Sequence, residues 1–280
     1  MAADGRLFIC MEFGLFTMGY MYATLETAFA DAAAAGYDYI ELWGGRPHAY
    51  ALDILSGGAD VVLSLGEKYN MPVRVYTPEH NAYPFNYMLG GEGQRQAGVE
   101  YLCGAMDAAR KLGAAYMLIS AGNGGASTQR ERRERLLRSL RELTEHAEKV
   151  GQNLLLEPLT PFESNTLTTL GELAEVLERI DSPRLFGMCD TVPAFLQGED
   201  VADYVRVLGG RMRHLHLVDS DGKSEDHLLP GDGIMPLCRM IADIRAAGYD
   251  GTATIELVTK YMHDQSRFAK LAMERIRTVI

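Results

Sequence analysis

The 280 residues hold 27 Lys and Arg against 38 Asp and Glu, a net charge of −11, with 47% apolar and 23% charged residues. That composition is globular, with enough apolar material for a large core without staples. So acidic a chain disfavours duplex nucleic acid and anionic membrane surfaces as partners. Cysteines 10, 103, 189 and 238 form no C-x-x-C pair. They read as reduced thiols, with Cys103 and Cys189 as small buried hydrophobes. No secretory leader is read at the start, and no apolar run approaches the roughly 18 residues of a membrane span. A cytoplasmic location is the expectation.

In chain order, short apolar runs alternate with amphipathic stretches. A strand is expected at 13–17, a helix at 24–35 stopped by Gly36, a strand at 37–43, a helix at 54–69 and a strand at 72–76. A helix at 94–112, a strand at 115–120, a loose loop and a helix at 129–150 follow. The second half repeats the pattern: strand 153–157, helix 167–180, strand 185–190, helix 201–208, strand 212–219, helix 236–247, strand 252–258 and helix 265–279. Leu154-Leu155-Leu156 is the continuous apolar run of a buried parallel strand. Eight βα repeats suit a single-domain α/β fold, the (β/α)8 TIM barrel of about 250 residues. The rival doubly wound sheet lacks its Gly-rich phosphate turn here. Residues 1–10 are expected to be a loosely ordered start and 11–280 the barrel. In the helix at 129–150, Arg alternates with Glu, which reads as a solvated, ion-paired face.

Barrel chemistry sits at the C-terminal ends of the strands. The fifth run ends in Glu157 and the sixth in Asp190, while the seventh carries His216 and the eighth Glu256. Successive intervals of 33, 26 and 40 residues each make about one βα unit. Three carboxylates and an imidazole at one barrel mouth are costly to bury without a cation. They suit one divalent ion, with Mn²⁺, Mg²⁺ or Co²⁺ ahead of thiolate-loving Zn²⁺. A buried hydrogen-bonded network without metal is the other reading. His214 faces the same way as His216 but lies nearer the barrel middle, where packing is its expected role. Asp219 reads either as a residue orienting a ligand or as a turn cap.

The Glu, Asp, His, Glu set resembles the xylose-isomerase-like superfamily of barrels, which includes sugar isomerases, ketose 3-epimerases and endonuclease IV. The stretches ELWGGRPHAY (41–50), YTPEHNAYPFNYMLG (76–90), LEPLTPFESN (156–165), SPRLFGMCD (182–190), RHLHLVDSDGKS (213–224), PGDGIMPL (230–237) and ELVTKYM (256–262) resemble its fructoselysine 3-epimerase branch more closely. The resemblance implies a metal-dependent enzyme that inverts C3 of a ketose or ketosamine through an enediolate. By resemblance, Glu157, Asp190, His216 and Glu256 are the metal ligands, and Glu157 and Glu256 the two catalytic bases. Mn²⁺ is the first choice of ion, with Mg²⁺, Co²⁺ or Ni²⁺ also compatible. Glu163 matches a substrate-contacting Glu of ketose 3-epimerases. The chain departs from those enzymes at Pro193, where they have His, and at Gly222, where they have Arg. Both departures favour a C1-substituted ketose.

Trp43, Arg46, His48, Glu79 and Asn81 follow strands two and three on the same barrel face. Trp43 is placed to stack on a substrate. Glu79 or Glu163 would meet an ammonium, and the fork of Arg46 would meet a carboxylate. His227, in a tight Pro-Gly loop, is a further substrate candidate. An epimerase of plain ketoses and an aldose–ketose isomerase are the alternatives in the same chemistry, and a non-catalytic sugar-binding barrel stands outside it. The aromatic-rich loop 83–88, read as exposed, leaves a homo-oligomer (dimer or tetramer) open.

Overall fold

The computed structural model describes residues 11–82 and 84–279. The expected loose start at 1–10, with Cys10, lies outside them, as does Tyr83. Strands β1 (Glu12–Phe16), β2 (Tyr39–Gly44), β3 (Val73–Pro78), β4 (Tyr116–Ser120), β5 (Asn153–Glu157), β6 (Leu185–Asp190), β7 (Met212–His216) and β8 (Thr252–Ile255) pair in parallel in sequence order, and β8 closes on β1. Around them lie helices α1 (Leu25–Ala35), α2 (Ala59–Tyr69), α3 (Glu92–Lys111), α4 (Gln129–Val150), α5 (Leu170–Ile180), α6 (Val201–Leu208), α7 (Leu237–Ala246) and α8 (Gln265–Val279). This is the expected single-domain (β/α)8 barrel.

Local chemistry accounts for the boundaries. Thr128 and Glu131 close a reciprocal capping box at the start of α4, and Gly151, at φ 76°, ends it. The Arg-rich face of α4 is ion-paired: Arg130 meets Glu134, Arg133 meets Glu175, and Arg138 meets Glu92. Three of the departures from the sequence reading have a clear local cause. Residues Ile54–Gly58 form a π turn in which Gly57 takes φ 124°, so α2 starts five residues late. Strand β7 stops at His216 because the chain then leaves the sheet, and Asp219 pairs antiparallel with Leu228. A short helix, Thr191–Leu196, follows β6 directly; the Asp190 side chain caps it by accepting from the Val192 N–H at 2.8 Å. Residues 84–88 of the aromatic-rich loop are less exposed than their composition suggests: Tyr87 and Met88 are buried, and Phe85 stacks on Tyr101.

The apolar residues form two layers. The outer layer joins the outward faces of the strands (Ile40, Met117, Leu154, Leu156, Leu215 and Ile255) to the inner faces of the helices. The inner one fills the barrel floor with Tyr39, Val75, Leu118, Leu155 and Met188. Strand alternation then sets what lies above. The residues two further along, Glu41, Thr77, Ser120, Glu157 and Asp190, share the interior side of those strands. Gly14 makes room for the floor, since a Cβ there would come within 2.1 Å of the Tyr39 ring.

Candidate active site

Register brings the strand ends together. Asp190 lies opposite His216 on the β6–β7 ladder, and Glu157 lies opposite Ser120 on β4–β5. Glu256 follows β8 directly. Each of Glu157, Asp190, His216 and Glu256 offers one ligand atom, and these atoms all lie within 4.8 Å of one another. His216 Nδ1 sits 2.8 Å from Glu256 Oε2 and 3.1 Å from Glu157 Oε1. Despite those distances, this buried nitrogen makes no hydrogen bond. Two carboxylates flank it and neither lies where a ring N–H would point. That is the arrangement expected around a shared cation, and an oxygen-rich set with one imidazole fits a divalent ion. Asp190 spends Oδ1 on the helix cap and turns Oδ2 toward the cluster, 3.3 Å from His227 Nε2.

The electrostatics of the cluster are uneven. Burial, reinforced by the charges of Glu256 and Asp190, pushes the Glu157 carboxyl up against the pull of His216. Burial also pushes Glu256 up, but the imidazoles of His216 and His227 outweigh it and hold its carboxyl low. Burial disfavours the charged ring at buried His216 and, less deeply, at partly exposed His227, but the carboxylates around each outweigh it and keep the ring's affinity for a proton high.

A cavity of about 200 Å³ opens over the cluster. Trp43, Glu79, Asn81, Glu163 and His227 line it together with Phe16, Met18, Thr77, His80, Ser120 and Leu159. Trp43 Nε1–H donates to Glu79 Oε2 at 3.1 Å, and Gly45 lies so close to the indole that a Cβ would come within 2.0 Å of it. Glu163 accepts from the Thr160 hydroxyl at 2.8 Å. His80 is fixed between the Pro78 carbonyl, 2.6 Å from Nδ1, and the Ser120 N–H, which donates to Nε2 at 2.8 Å. Its tautomer follows: Nδ1 carries the proton. His227 precedes Leu228, whose backbone exchanges two 2.8 Å hydrogen bonds with Asp219. That ladder sets the ring beside Asp190 and Glu256.

Two sequence candidates are placed elsewhere. Arg46 does not line the cavity; its guanidinium forks onto Asp53 at 2.7 and 2.8 Å and lies over the Tyr50 ring. His48 sits edge-on to Trp43, with Nε2 3.0 Å from the Ala23 carbonyl. The sequence reading left one residue without a role. Glu41, fully buried in the middle of β2, accepts from Thr77 Oγ1 at 2.6 Å and from the Nε2 atoms of His216 at 3.1 Å and His214 at 3.0 Å. His214 is thus more than packing. The signal was present in YIELWG, an ionisable residue in the middle of an apolar strand.

Residues 29–278 match the family described as xylose isomerase-like TIM barrel. The chain is 45% identical over 271 residues to fructoselysine 3-epimerase of Escherichia coli O157:H7, covering 96% of this chain and 98% of that protein, and to the same degree to the Shigella flexneri enzyme of that name. Among solved structures it is similar in fold to D-allulose 3-epimerase from Methylomonas sp. (TM-score 0.80, 22% identity, covering 96% of this chain and 97% of that one). It is also similar to 3-keto-D-glucoside 4-epimerase from E. coli (TM-score 0.79, 17% identity, covering 96% and 100%). The chain belongs to the xylose isomerase-like TIM barrel family and, within it, to the fructoselysine 3-epimerases.

Proposed function

We propose that this chain is a divalent-metal-dependent epimerase that inverts C3 of a ketosamine, interconverting fructoselysine and psicoselysine. The observation that carries the reading is the convergence of Glu157, Asp190, His216 and Glu256 around an unbonded imidazole nitrogen, in a chain 45% identical to enzymes of that name. These four are the proposed ligands, for Mn²⁺ first and Mg²⁺, Co²⁺ or Ni²⁺ as substitutes. The ion, when bound, supplies stabilisation of the negative charge that develops on the sugar oxygens as C3 loses its proton.

The chain's own residues do the rest. Inversion needs a proton taken from one face of C3 and another delivered to the opposite face. One carboxylate cannot reach both faces. Glu157 and Glu256 approach from β5 and β8, three positions apart round the barrel, and serve as the pair. The cavity of about 200 Å³ is smaller than a typical site of ~300–1,000 Å³. It suits a sugar held over the cluster with an amino-acid tail at the rim. Trp43 gives the sugar an apolar wall, and Asn81 and His227 give it polar contacts. Glu79 and Glu163 are the partners for the tail's ammonium. Arg46 would take a carboxylate by releasing Asp53, an exposed pair that solvent screens and a better partner can replace. His48 then acts through Trp43, against which it packs.

Free thiols at Cys103, Cys189 and Cys238 suit a cytoplasmic location. No helix among the described residues is long and apolar enough to cross a membrane. Exposed Tyr22, Phe162 and Ile234, on loops that follow β1, β5 and β7, offer apolar surface on the mouth face for a second copy in a dimer or tetramer.

Proton exchange in D₂O, followed by NMR with Mn²⁺ added, tests the function. Deuterium should enter C3 of fructoselysine, and Glu157→Gln and Glu256→Gln should each abolish it. Exchange with fructose and psicose alone would keep the mechanism and replace the substrate with a plain ketose. Absence of exchange with all three would defeat the epimerase reading.

A further inference from the structure

We infer that Glu41 is a positioning residue that sets the metal-binding face of His216. A fully buried carboxylate is expensive unless its oxygens are satisfied. Here three donors satisfy it: the Thr77 hydroxyl and His216 Nε2 on Oε1, and His214 Nε2 on Oε2. A carboxylate in this setting only accepts, so both imidazoles present Nε2–H to it. In a neutral ring the other nitrogen of His216 is then bare. That nitrogen, Nδ1, is the one buried among Glu157, Glu256 and Asp190 with no hydrogen bond. Glu41 thereby selects the tautomer, fixes the ring's rotation and strengthens Nδ1 as a donor to a cation.

His214 holds the other end. Its Nδ1 takes the Thr252 hydroxyl at 2.8 Å, so its Nε2–H has no partner except Glu41, and the carboxylate cannot turn away from His216. Glu41, His214 and His216 also lie close enough together to enclose an ion themselves. Their facing atoms, however, already stand 3.0 and 3.1 Å apart as donor and acceptor, and the Thr77 hydroxyl occupies the same side. The trio is therefore a hydrogen-bonded support for the cluster at the strand ends and not a second metal site.

The inference rests on the metal-site reading, and the test separates the two. Free Mn²⁺ is followed by electron paramagnetic resonance while it is titrated into metal-free wild type, Glu41→Gln, His214→Asn and Tyr39→Phe. Glutamine matches glutamate in shape but turns an N–H toward one imidazole and a charge toward neither. Glu41→Gln is expected to weaken Mn²⁺ binding ~10–100-fold, with far-UV circular dichroism unchanged. His214→Asn, which loosens Glu41 and also removes the ring that packs edge-on against His216 at 5.3 Å between centroids, weakens it in the same direction by less, and it carries the test if Glu41→Gln does not fold. Tyr39→Phe removes a buried bond to Thr254 in the same interior and leaves binding unchanged. Wild-type affinity in Glu41→Gln or in His214→Asn overturns the inference and spares the metal site. Equal weakening in Tyr39→Phe also overturns it, by exposing a general loosening of the barrel. A wild-type protein that takes up no Mn²⁺ overturns the metal reading, and this inference with it.

Discussion

Asp219→Asn should release the loop that carries His227. Four backbone N–H groups converge on this buried carboxylate: Ser220 at 2.8 Å and Met235 at 3.0 Å on Oδ1, Gly231 at 2.9 Å and Gly233 at 3.1 Å on Oδ2. The loop backbone packs against it so closely that a Cβ on Gly233 would lie 2.3 Å from Oδ1. Asparagine keeps the shape and replaces one oxygen with a donor, so two of the four bonds are lost whichever way the amide turns. At ~1.5–3 kcal/mol for a bond to a charged group, the loss is about 3–6 kcal/mol. The loop can open without the barrel, so the cost falls on local opening. Amide hydrogen exchange is the assay. At 1.4 kcal/mol per factor of ten, protection of the affected pair among Ser220, Gly231, Gly233 and Met235 should drop about a hundredfold or more, while Leu215 in β7 keeps its rate. Turnover should fall ~100-fold as His227 leaves Asp190 and Glu256. Wild-type protection at all four amides would refute the account of Asp219 as the loop's anchor.

Two further outcomes follow from the floor and from the cluster. Gly14→Ala forces the Tyr39 ring to move and strains its bond to Thr254, at about 2–4 kcal/mol; for a chain of this length that lowers Tm by roughly 3–7 °C. Adding Tyr39→Leu should recover part of the loss in a thermal melt, and simple additivity of the two would contradict the packing argument. Mn²⁺ at a hundred times its dissociation constant should stabilise the metal-free protein by ~2.7 kcal/mol, roughly 5 °C in calorimetry. The same gain in a Glu157→Gln/Glu256→Gln double variant would show the ion bound elsewhere.

The fold and the four strand-end residues were readable because a buried parallel strand is apolar until it reaches the mouth. The first charged residue after LLL or RLFGMC therefore marks the end and points inward. Glu41 escaped that rule. It stands in the middle of its strand, and its histidine partners lie 173 and 175 residues away in sequence, so no local pattern announces them. Arg46 was readable as a mouth residue but not as a committed one. Asp53, seven residues on, reaches it only because the chain folds back through a helical turn before α2. The late start of α2 was visible in Gly57-Gly58, though the 3.6-residue pattern runs straight through that pair. Asp219, open between two roles at the level of sequence, anchors a loop whose four donors are spread over sixteen residues.

Among the described residues, the buried floor of Tyr39, Val75, Leu118, Leu155 and Met188 closes the barrel beneath the carboxylates, and the cavity lies above them. Whatever reaches the carboxylates enters, and departs, by the mouth. Under the proposed reaction, a bound sugar is therefore its own stopper: while it sits over Glu157 and Glu256, bulk water has no second route to them. A hydrogen lifted from the sugar can be exchanged only as fast as the mouth clears. The isotope carried by the product, compared with that in recovered substrate, would then act as a clock for release.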